Sequence, residues 1–126
     1  MKRKSFTAPD AVSVGPYSHA VEAGGFVYLS GQTPLDSKTG KLVEGDIGVQ
    51  TAQVFENLFA VLKAAGLSPD DVVKANVFLT DMKNFKGMNE VYAKKFSEPY
   101  PARSAIGVRE LPLGAMVEIE LVAKRP

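Results

Sequence analysis

The chain contains no cysteine and only one histidine, His19. The absence of cysteine excludes disulfides, thiolate nucleophiles and thiolate metal ligands. A single histidine also argues against a histidine-rich zinc or iron site. We therefore expect no bound metal.

Long apolar runs and a strong net charge are also absent. The basic start, Met1 to Lys4, resembles the beginning of a signal peptide, but Ser5 to Pro9 supply no apolar segment after it. No run approaches the length that spans a membrane. The net charge of +1 gives no strong attraction to nucleic acid or anionic lipid. We expect a cytoplasmic protein whose partners are small molecules or copies of itself. Lys2 to Lys4 are expected to form a solvated, partly mobile end.

Several motifs that identify enzymes are missing as well. There is no G-x-S-x-G, and Leu29-Ser30-Gly31 resembles the end of a strand more than a nucleophile elbow. The glycine patterns that hold nucleotide phosphates are absent, and no lysine lies alone in an apolar run as a Schiff-base lysine would. We expect no cofactor.

The composition predicts one globular domain, residues 1–126, with 45% hydrophobic and 23% charged residues. Residues 46–65 carry apolar side chains at helical spacing, with Asp46 placed to cap the start and Gly66 the end. A shorter helix is predicted from about Asn84 to Phe96. Both helices are amphipathic and must pack against another layer.

Alternating apolar residues predict that this layer is a β-sheet. After the first helix, four apolar residues alternate: Val73, Ala75, Val77 and Leu79. Gly24-Gly25 separates the apolar runs Ser18–Ala23 and Phe26–Leu29 as a hairpin turn would, and Asp36–Gly40 resembles another turn. The order of elements predicts an α+β fold, with one mixed sheet and two helices on one face.

Two helices can cover only one face of this sheet. Phe26 and Tyr28 share one side of their strand, and Phe78 lies opposite the row that begins at Val73, so neither face is cleanly polar. Extended apolar patches on small proteins usually mark interfaces. We expect self-association to bury the second face.

The last quarter of the chain holds the candidate site. In residues 117–123 an apolar row alternates with polar positions that include Glu118. In the strand before it, Ile106 belongs to the apolar row, so Arg103 and Ala105 are expected to point away from it. If both apolar rows cover one core, the guanidinium and a carboxylate share the opposite face.

Arg103 with Glu118 or Glu120 has two interpretations. An arginine fork can bind a carboxylate through two hydrogen bonds, and a nearby glutamate can hold a water and transfer protons. This pair could hydrolyse a small α-carboxylate substrate. The alternative is an exposed cross-strand ion pair, which contributes only about 0–1 kcal/mol. The spacing alone favours the ion pair.

A family resemblance favours the first interpretation. Pro101-Ala102-Arg103-Ser104-Ala105-Ile106, with Arg109, Leu111 and Val117-Glu118-Ile119, resembles the C-terminal signature of the RidA/YjgF family of reactive-intermediate deaminases. The resemblance runs from about Ala8 to Lys124. It includes, in order, Gly15-Pro16-Tyr17-Ser18, Leu29-Ser30-Gly31-Gln32-Thr33-Pro34, Lys38-Thr39-Gly40, Gln53 to Asn57, Ala64-Ala65-Gly66-Leu67, Val77-Phe78-Leu79-Thr80-Asp81, Met88-Asn89 and Val91-Tyr92.

The resemblance implies a chorismate-mutase-like α+β fold assembled as a homotrimer, with sites in the clefts between subunits. It also implies hydrolysis of 2-aminoacrylate and related enamines, through imines such as 2-iminobutanoate, to 2-keto acids and ammonia. An imine carbon is electrophilic once its nitrogen is protonated, so water addition needs placement and proton transfer more than a cofactor. An enzyme without a cofactor is therefore consistent with the missing motifs.

The resemblance also implies roles for individual residues. Arg103 matches the arginine that binds the substrate carboxylate, and Glu118 matches the glutamate that orients the hydrolytic water. The positions that match the pocket lining are Tyr17, Ser30, Gly31 and Asn89. Ala105 stands where many relatives have cysteine, which excludes a thiol there but not a role for the backbone carbonyl. Glu120 is interpreted as a structural partner.

Two other functions stay open at this point. A ligand-binding regulator would use the same cleft to sense keto acids without chemistry. An RNA-cleaving or translation-inhibiting role has been attached to relatives, but the near-neutral charge and the lack of a basic aromatic face disfavour it.

Overall fold

The structure is a computed structural model that describes residues 2–9 and 15–126. In this part of the chain, six strands and two α-helices form the regular structure. In chain order they are β1 Lys4–Phe6, β2 Ala20–Ala23, β3 Phe26–Gln32, α1 Ile47–Ala64, β4 Val72–Leu79, α2 Phe85–Lys95, β5 Ala102–Gly107 and β6 Val117–Lys124.

The strands form one mixed sheet in the order β1-β2-β3-β6-β4-β5. Only β4 and β5 are parallel, and α2 provides the crossover between them. Both helices pack on one face, as the sequence predicts. Lys4, the last residue of the end predicted to be solvated and partly mobile, is exposed and pairs with Glu22 at the edge of the sheet.

Helix α1 has the bounds that its sequence predicts. The Asp46 side chain accepts a hydrogen bond of 3.0 Å from the backbone N–H of Val49, which caps the first turn. Its apolar stripe is buried apart from the partly buried Phe59, and Gly66 follows the last turn with φ +75°, a conformation that glycine adopts without strain. Helix α2 is confirmed within one residue at each end. No helix of the described residues is long and apolar enough to cross a membrane.

The predicted hairpin is confirmed, whereas one strand position differs. Gly24 and Gly25 join β2 to β3 with φ values of +60° and +81°, which suit the twist of a two-residue turn. Val73 is 43% exposed rather than buried. The pairing of β4 with β6 shifts between Val72 and Lys74, so Val72 takes the buried place.

The sheet has two different faces. We call the face under the two helices the helix face; its fully buried members include Val27, Val77 and Ile119. The opposite face, called the open face, carries residues directly paired across the strands, Phe78 with Glu118 and Tyr28 with Val122. Paired residues on neighbouring strands point to the same side. Tyr28 is 50% exposed there.

The predicted orientation of β5 is wrong. Arg103 pairs with Ala75 and Ala105 with Val77, so both lie on the helix face, while Ile106 pairs with Phe78 on the open face and is 50% exposed. The reason is the position of β5 at the edge of the sheet. An edge strand has a neighbouring strand on one side only, so its apolar residue is less strongly forced inward.

Candidate functional site

The candidate site residues fall into two groups in a single chain. In the first group, Arg103 and Ala105 lie on β5, and Arg103 contacts Asn89 on α2. The second group consists of Tyr17, Ser30, Gly31 and Glu118, which line one cleft. The elements that hold each group differ, so each is described separately.

Arg103 is held by three side chains of α2. Its Nη1 donates a hydrogen bond of 2.7 Å to Oδ1 of Asn89. Its Cζ lies 4.7 Å from the ring centre of Tyr92 and 5.5 Å from that of Phe85. A guanidinium at these distances is attracted to the face of an aromatic ring. The side chain therefore has a defined orientation before any ligand is present.

The Arg103 guanidinium faces a cleft of about 340 Å³. The cleft is lined by Asn89, Tyr92, Ala93, Tyr100, Pro101 and Arg103. Among the described residues, the bond to Asn89 is the one hydrogen bond that the guanidinium makes. The Nε and Nη2 donors therefore remain for a ligand, and the Arg103 fork can bind a carboxylate there.

Tyr92 forms the inner wall behind Arg103. It is 5% exposed, and its ring packs against Phe55 and Phe96 with centroid distances of 5.7 Å and 5.1 Å. Burial raises the pKa of the Tyr92 hydroxyl, and the Arg103 charge opposes that shift. The ring is thus anchored in the core on one side while it supports the guanidinium on the other.

Glu118 lies in a second cleft of about 250 Å³ on the open side of the sheet. Its lining consists of Tyr17, Ser30, Gly31, Thr33, Pro112 and Glu118. The Ser30 Oγ donates a hydrogen bond of 2.6 Å to the carbonyl of Ser18, which fixes the hydroxyl. Tyr17 packs edge-on against His19 at 6.2 Å. Four of the predicted site residues, Tyr17, Ser30, Gly31 and Glu118, therefore line one cleft.

Gly31 allows the Glu118 carboxylate to approach the backbone. It lies where the pairing of β3 with β6 is irregular, between Leu29 and Gln32. A Cβ at this position would lie 3.0 Å from Cδ of Glu118, tighter than most side-chain contacts, so the carboxylate would have to shift. Glycine therefore leaves room for the carboxylate where it lies in this structure.

The electrostatic surroundings of Glu118 favour its protonated form. Partial burial raises the pKa of the Glu118 carboxyl, and the nearby Glu120 charge raises it further. Glu120 accepts a hydrogen bond of 3.1 Å from Nδ2 of Asn76. Glu120 thus has a structural partner, whereas Glu118 is available to exchange a proton with a ligand or water.

Arg103 and Glu118 do not meet in one chain. Arg103 lies on the helix face and Glu118 on the open face. The two clefts have no lining residue in common. The prediction that both groups share one face is therefore wrong, because it assumed that the apolar rows of both strands point into the same core.

Two residues around Arg103 were not among the predicted site residues. Phe85 and Tyr92 hold the guanidinium together with Asn89. These three positions are four and three residues apart on α2, the spacing of one helical face. That spacing is visible in the sequence and could have indicated an arginine support. Ala105, two residues after Arg103 on β5, is half-buried and does not line the Arg103 cleft.

The described residues have an α+β architecture, with one mixed sheet covered on one side by two helices. The sequence model of the family described as Endoribonuclease L-PSP matches residues 7–125. The chain belongs to this family, which includes the YjgF and RidA proteins. The resemblance found in its motifs is thereby confirmed.

Individual relatives agree over nearly the full length. A RutC family protein of Pyrococcus horikoshii is 50% identical over 123 residues, which cover 98% of this chain and 98% of that protein. A 2-iminobutanoate/2-iminopropanoate deaminase of Dermatophagoides farinae is 45% identical over 109 residues, 86% of this chain and 85% of that protein. The crystal structure of RidA from Psychrobacter is 48% identical, with a TM-score of 0.92 over 97% of this chain and 99% of that one. The predicted fold is confirmed.

Proposed function

We propose that the protein hydrolyses 2-imino acids to 2-keto acids and ammonia without a cofactor. The substrates are 2-iminobutanoate and 2-iminopropanoate. The latter is the imine tautomer of the enamine 2-aminoacrylate. The observation that carries the proposal is the Arg103 fork, which is oriented by Asn89 and two aromatic rings and faces a cleft. A relative that is 45% identical is named for this activity.

Arg103 binds the substrate carboxylate in this proposal. Two parallel hydrogen bonds from a guanidinium hold a carboxylate in one plane. Because the imine carbon is bonded directly to this carboxylate, its position is fixed as well. The support from Asn89 and Tyr92 keeps the fork from rotating when the ligand arrives. Less conformational freedom is then lost on binding, which favours affinity and alignment.

Glu118 positions and activates the water. Its carboxylate accepts a proton from water as the oxygen attacks the C=N carbon, and the proton passes to the nitrogen. In the resulting carbinolamine the carboxylate then takes the hydroxyl proton and passes it to the amino nitrogen, so that the C–N bond breaks and ammonia leaves as the C=O bond forms. A carboxyl with a raised pKa is suited to these transfers. Tyr17 and Ser30 shape the wall of this cleft.

The complete site requires two copies of the chain. Because Arg103 and Glu118 lie on opposite faces, a Glu118 from one protomer must reach the Arg103 of its neighbour. The open face supports such an assembly, since Phe26, Tyr28 and Ile106 are 38%, 50% and 50% exposed on it. We propose a homotrimer with three sites between subunits. Closed cyclic symmetry repeats the same contact at each interface.

The description of the family as an endoribonuclease suggests a second function, the cleavage of RNA. The charges of this chain disfavour it. The net charge is +1, and the open face carries the carboxylates Glu118 and Glu120, which would repel phosphates. Salt-sensitive RNA binding by the purified protein would favour this alternative.

A coupled assay tests the proposed function. A dehydratase acting on serine or threonine generates the imine, and its lifetime is followed by absorbance with and without the protein. We expect faster imine loss and an equal release of ammonia. An unchanged lifetime together with keto acid binding would instead indicate a non-catalytic regulator.

We also propose a cytoplasmic location for the protein. The dehydratases that release these imines use pyridoxal phosphate, and the protein would act where the imines are released.

A further inference from the structure

We propose that Thr33 is a further catalytic residue of the Glu118 cleft, whose hydroxyl donates a hydrogen bond to the oxygen that attacks the imine, and that Asn57 positions it. The inference rests on the proposed function, because it takes Glu118 as the group that activates the water. It goes further by giving roles to Thr33 and Asn57. Both belong to motifs that carry the family resemblance, which implies no role for either.

Thr33 lies in the wall of the cleft that holds Glu118. It follows Gln32, the last residue of β3, and it is half-buried. Among the described residues, the carbonyl of Thr33 accepts hydrogen bonds, whereas its hydroxyl has no partner. The hydroxyl is therefore available to a water or ligand in the cleft.

Two side chains of α1 fix the backbone of Thr33. Nδ2 of Asn57 donates hydrogen bonds of 3.1 Å to the carbonyl of Thr33 and 2.9 Å to that of Leu35. Nε2 of Gln53 donates a hydrogen bond of 2.9 Å to Oδ1 of Asn57, which orients the amide. Because the apolar side of α1 is packed in the core, this network holds Thr33 at a defined place in the wall.

The polar groups of the wall differ in what they offer a water. The Ser30 Oγ gives its only proton to the carbonyl of Ser18 at 2.6 Å, so it meets a ligand as an acceptor. The carboxylate of Glu118 is an acceptor as well. The hydroxyl of Tyr17 could donate, but this side chain is long and 41% exposed. Thr33 is thus the donor whose position the backbone fixes.

These groups together orient a water for attack. The neighbouring protomer brings the substrate on its Arg103, and Glu118 and Ser30 accept from the two O–H groups of the water. The Thr33 hydroxyl donates to one lone pair, so the other points at the imine carbon. As this oxygen becomes the carbonyl oxygen of the keto acid, negative charge develops on it, and a fixed donor stabilises that charge.

The substitution Thr33→Val tests the role of the hydroxyl, because valine has nearly the shape of threonine without the donor. Thr33→Ser keeps the hydroxyl. The matched control is Thr51→Val, since Oγ1 of Thr51 is buried on α1, has no partner among the described residues and lies outside the cleft lining. The coupled assay measures kcat and KM. Calorimetry measures the binding of 2-oxobutanoate and of butanoate, which lacks the keto oxygen.

Thr33→Val should lower kcat about tenfold, the loss expected for one hydrogen bond, and change KM less than about twofold, because the imine lacks this oxygen. It should weaken the binding of 2-oxobutanoate about tenfold and that of butanoate less than about twofold. Thr33→Ser should keep kcat within about threefold of the wild type. Thr51→Val should match the wild type in both assays.

Asn57→Ala tests the positioning role through its coupling to Thr33. In the wild-type background it should lower kcat about fivefold, because the segment that carries the hydroxyl loses two hydrogen bonds. In the Thr33→Val background it should lower kcat less than about twofold, since the hydroxyl is already gone. Equal losses in both backgrounds would contradict the positioning role.

Three results would overturn the role of Thr33 alone. They are a normal kcat in Thr33→Val, equal weakening of 2-oxobutanoate and butanoate, and a tenfold loss in Tyr17→Phe with none in Thr33→Val. If the wild-type protein hydrolyses no imine and binds neither acid, the proposed function itself fails. The butanoate measurement distinguishes these cases, because it depends on Arg103 but not on Thr33.

Discussion

Replacing Arg103 by alanine is expected to lower kcat/KM for imine hydrolysis by about 10²–10⁴-fold, because two hydrogen bonds to a charged group are lost at about 1.5–3 kcal/mol each. The effect should appear in both KM and kcat. In the proposed mechanism the guanidinium binds the carboxylate in the ground state and aligns the imine carbon for attack. Steady-state kinetics in the coupled assay provide the measurement.

Arg103→Lys is the matched control for this prediction. Lysine keeps the charge but loses the planar fork and the stacking on Tyr92, so its activity should fall between those of the wild type and the alanine variant. Both variants should unfold close to the wild-type temperature, since Arg103 is only partly buried on an edge strand. Normal kcat/KM in the alanine variant would refute the anchor role.

Replacing Glu118 by glutamine is expected to lower kcat by about 10²–10⁴-fold, the usual contribution of a positioned acid–base group. Glutamine keeps the size of the side chain and the contact with Gly31, but it cannot accept a proton from water. KM should change little, because Arg103 still binds the carboxylate. A kcat within a factor of about two of the wild type would remove Glu118 from the chemistry.

The raised pKa of Glu118 also predicts the direction of the pH dependence. The active form is the carboxylate, so activity should rise with pH, and the rise should lie above the ordinary range of a glutamate. Glu120→Gln removes one of the two causes of the raised pKa and should move the rise to lower pH. In Glu118→Gln the residual activity should not show this rise. An unmoved profile in Glu120→Gln would contradict the assignment.

The elements with strong local signals were predictable from the sequence. Asp46 and Gly66 mark the ends of α1, and the Gly24-Gly25 pair marks the hairpin, because capping and positive φ depend on neighbouring residues only. The alternation of β6 likewise gave its buried row, Val117 to Ala123. In each case the local residue pattern indicated a single type of structure.

The orientation of β5 was not predictable from alternation. Arg103 takes a place on the helix face that an apolar residue would ordinarily occupy, and the rings of Phe85 and Tyr92 receive its guanidinium. Ile106 is left on the open face. The placement of Arg103 on the helix face and of Ile106 on the open face depends on the parallel pairing of β5 with β4 and on the position of α2, which are tertiary features. The exposure of Val73 has a similar cause, since a register shift is set by the partner strand.

The family resemblance predicted individual site residues, but it did not predict that one chain divides them between two clefts. The resemblance named Arg103, Asn89, Glu118 and Gly31 without stating which of them one protomer brings together. In the structure, Asn89 accompanies Arg103, while Gly31 accompanies Glu118. The apolar residues of the open face indicated that a second copy covers it, but alternation did not show that Arg103 lies on the opposite face. The division follows only from the strand register.

Mixing the two inactive variants, Arg103→Ala and Glu118→Gln, tests most directly whether two protomers build each site. The variants are unfolded together in equal amounts and refolded, and kcat is compared with that of each variant refolded alone. If each site takes Arg103 from one protomer and Glu118 from its neighbour, random assortment leaves about one quarter of the sites intact, so about one quarter of the wild-type activity should return. If both residues served the same site from one chain, every site would carry a defect. Refolded mixtures that stay as inactive as the separate variants, despite mixed oligomers detected by mass, would contradict a site shared between protomers.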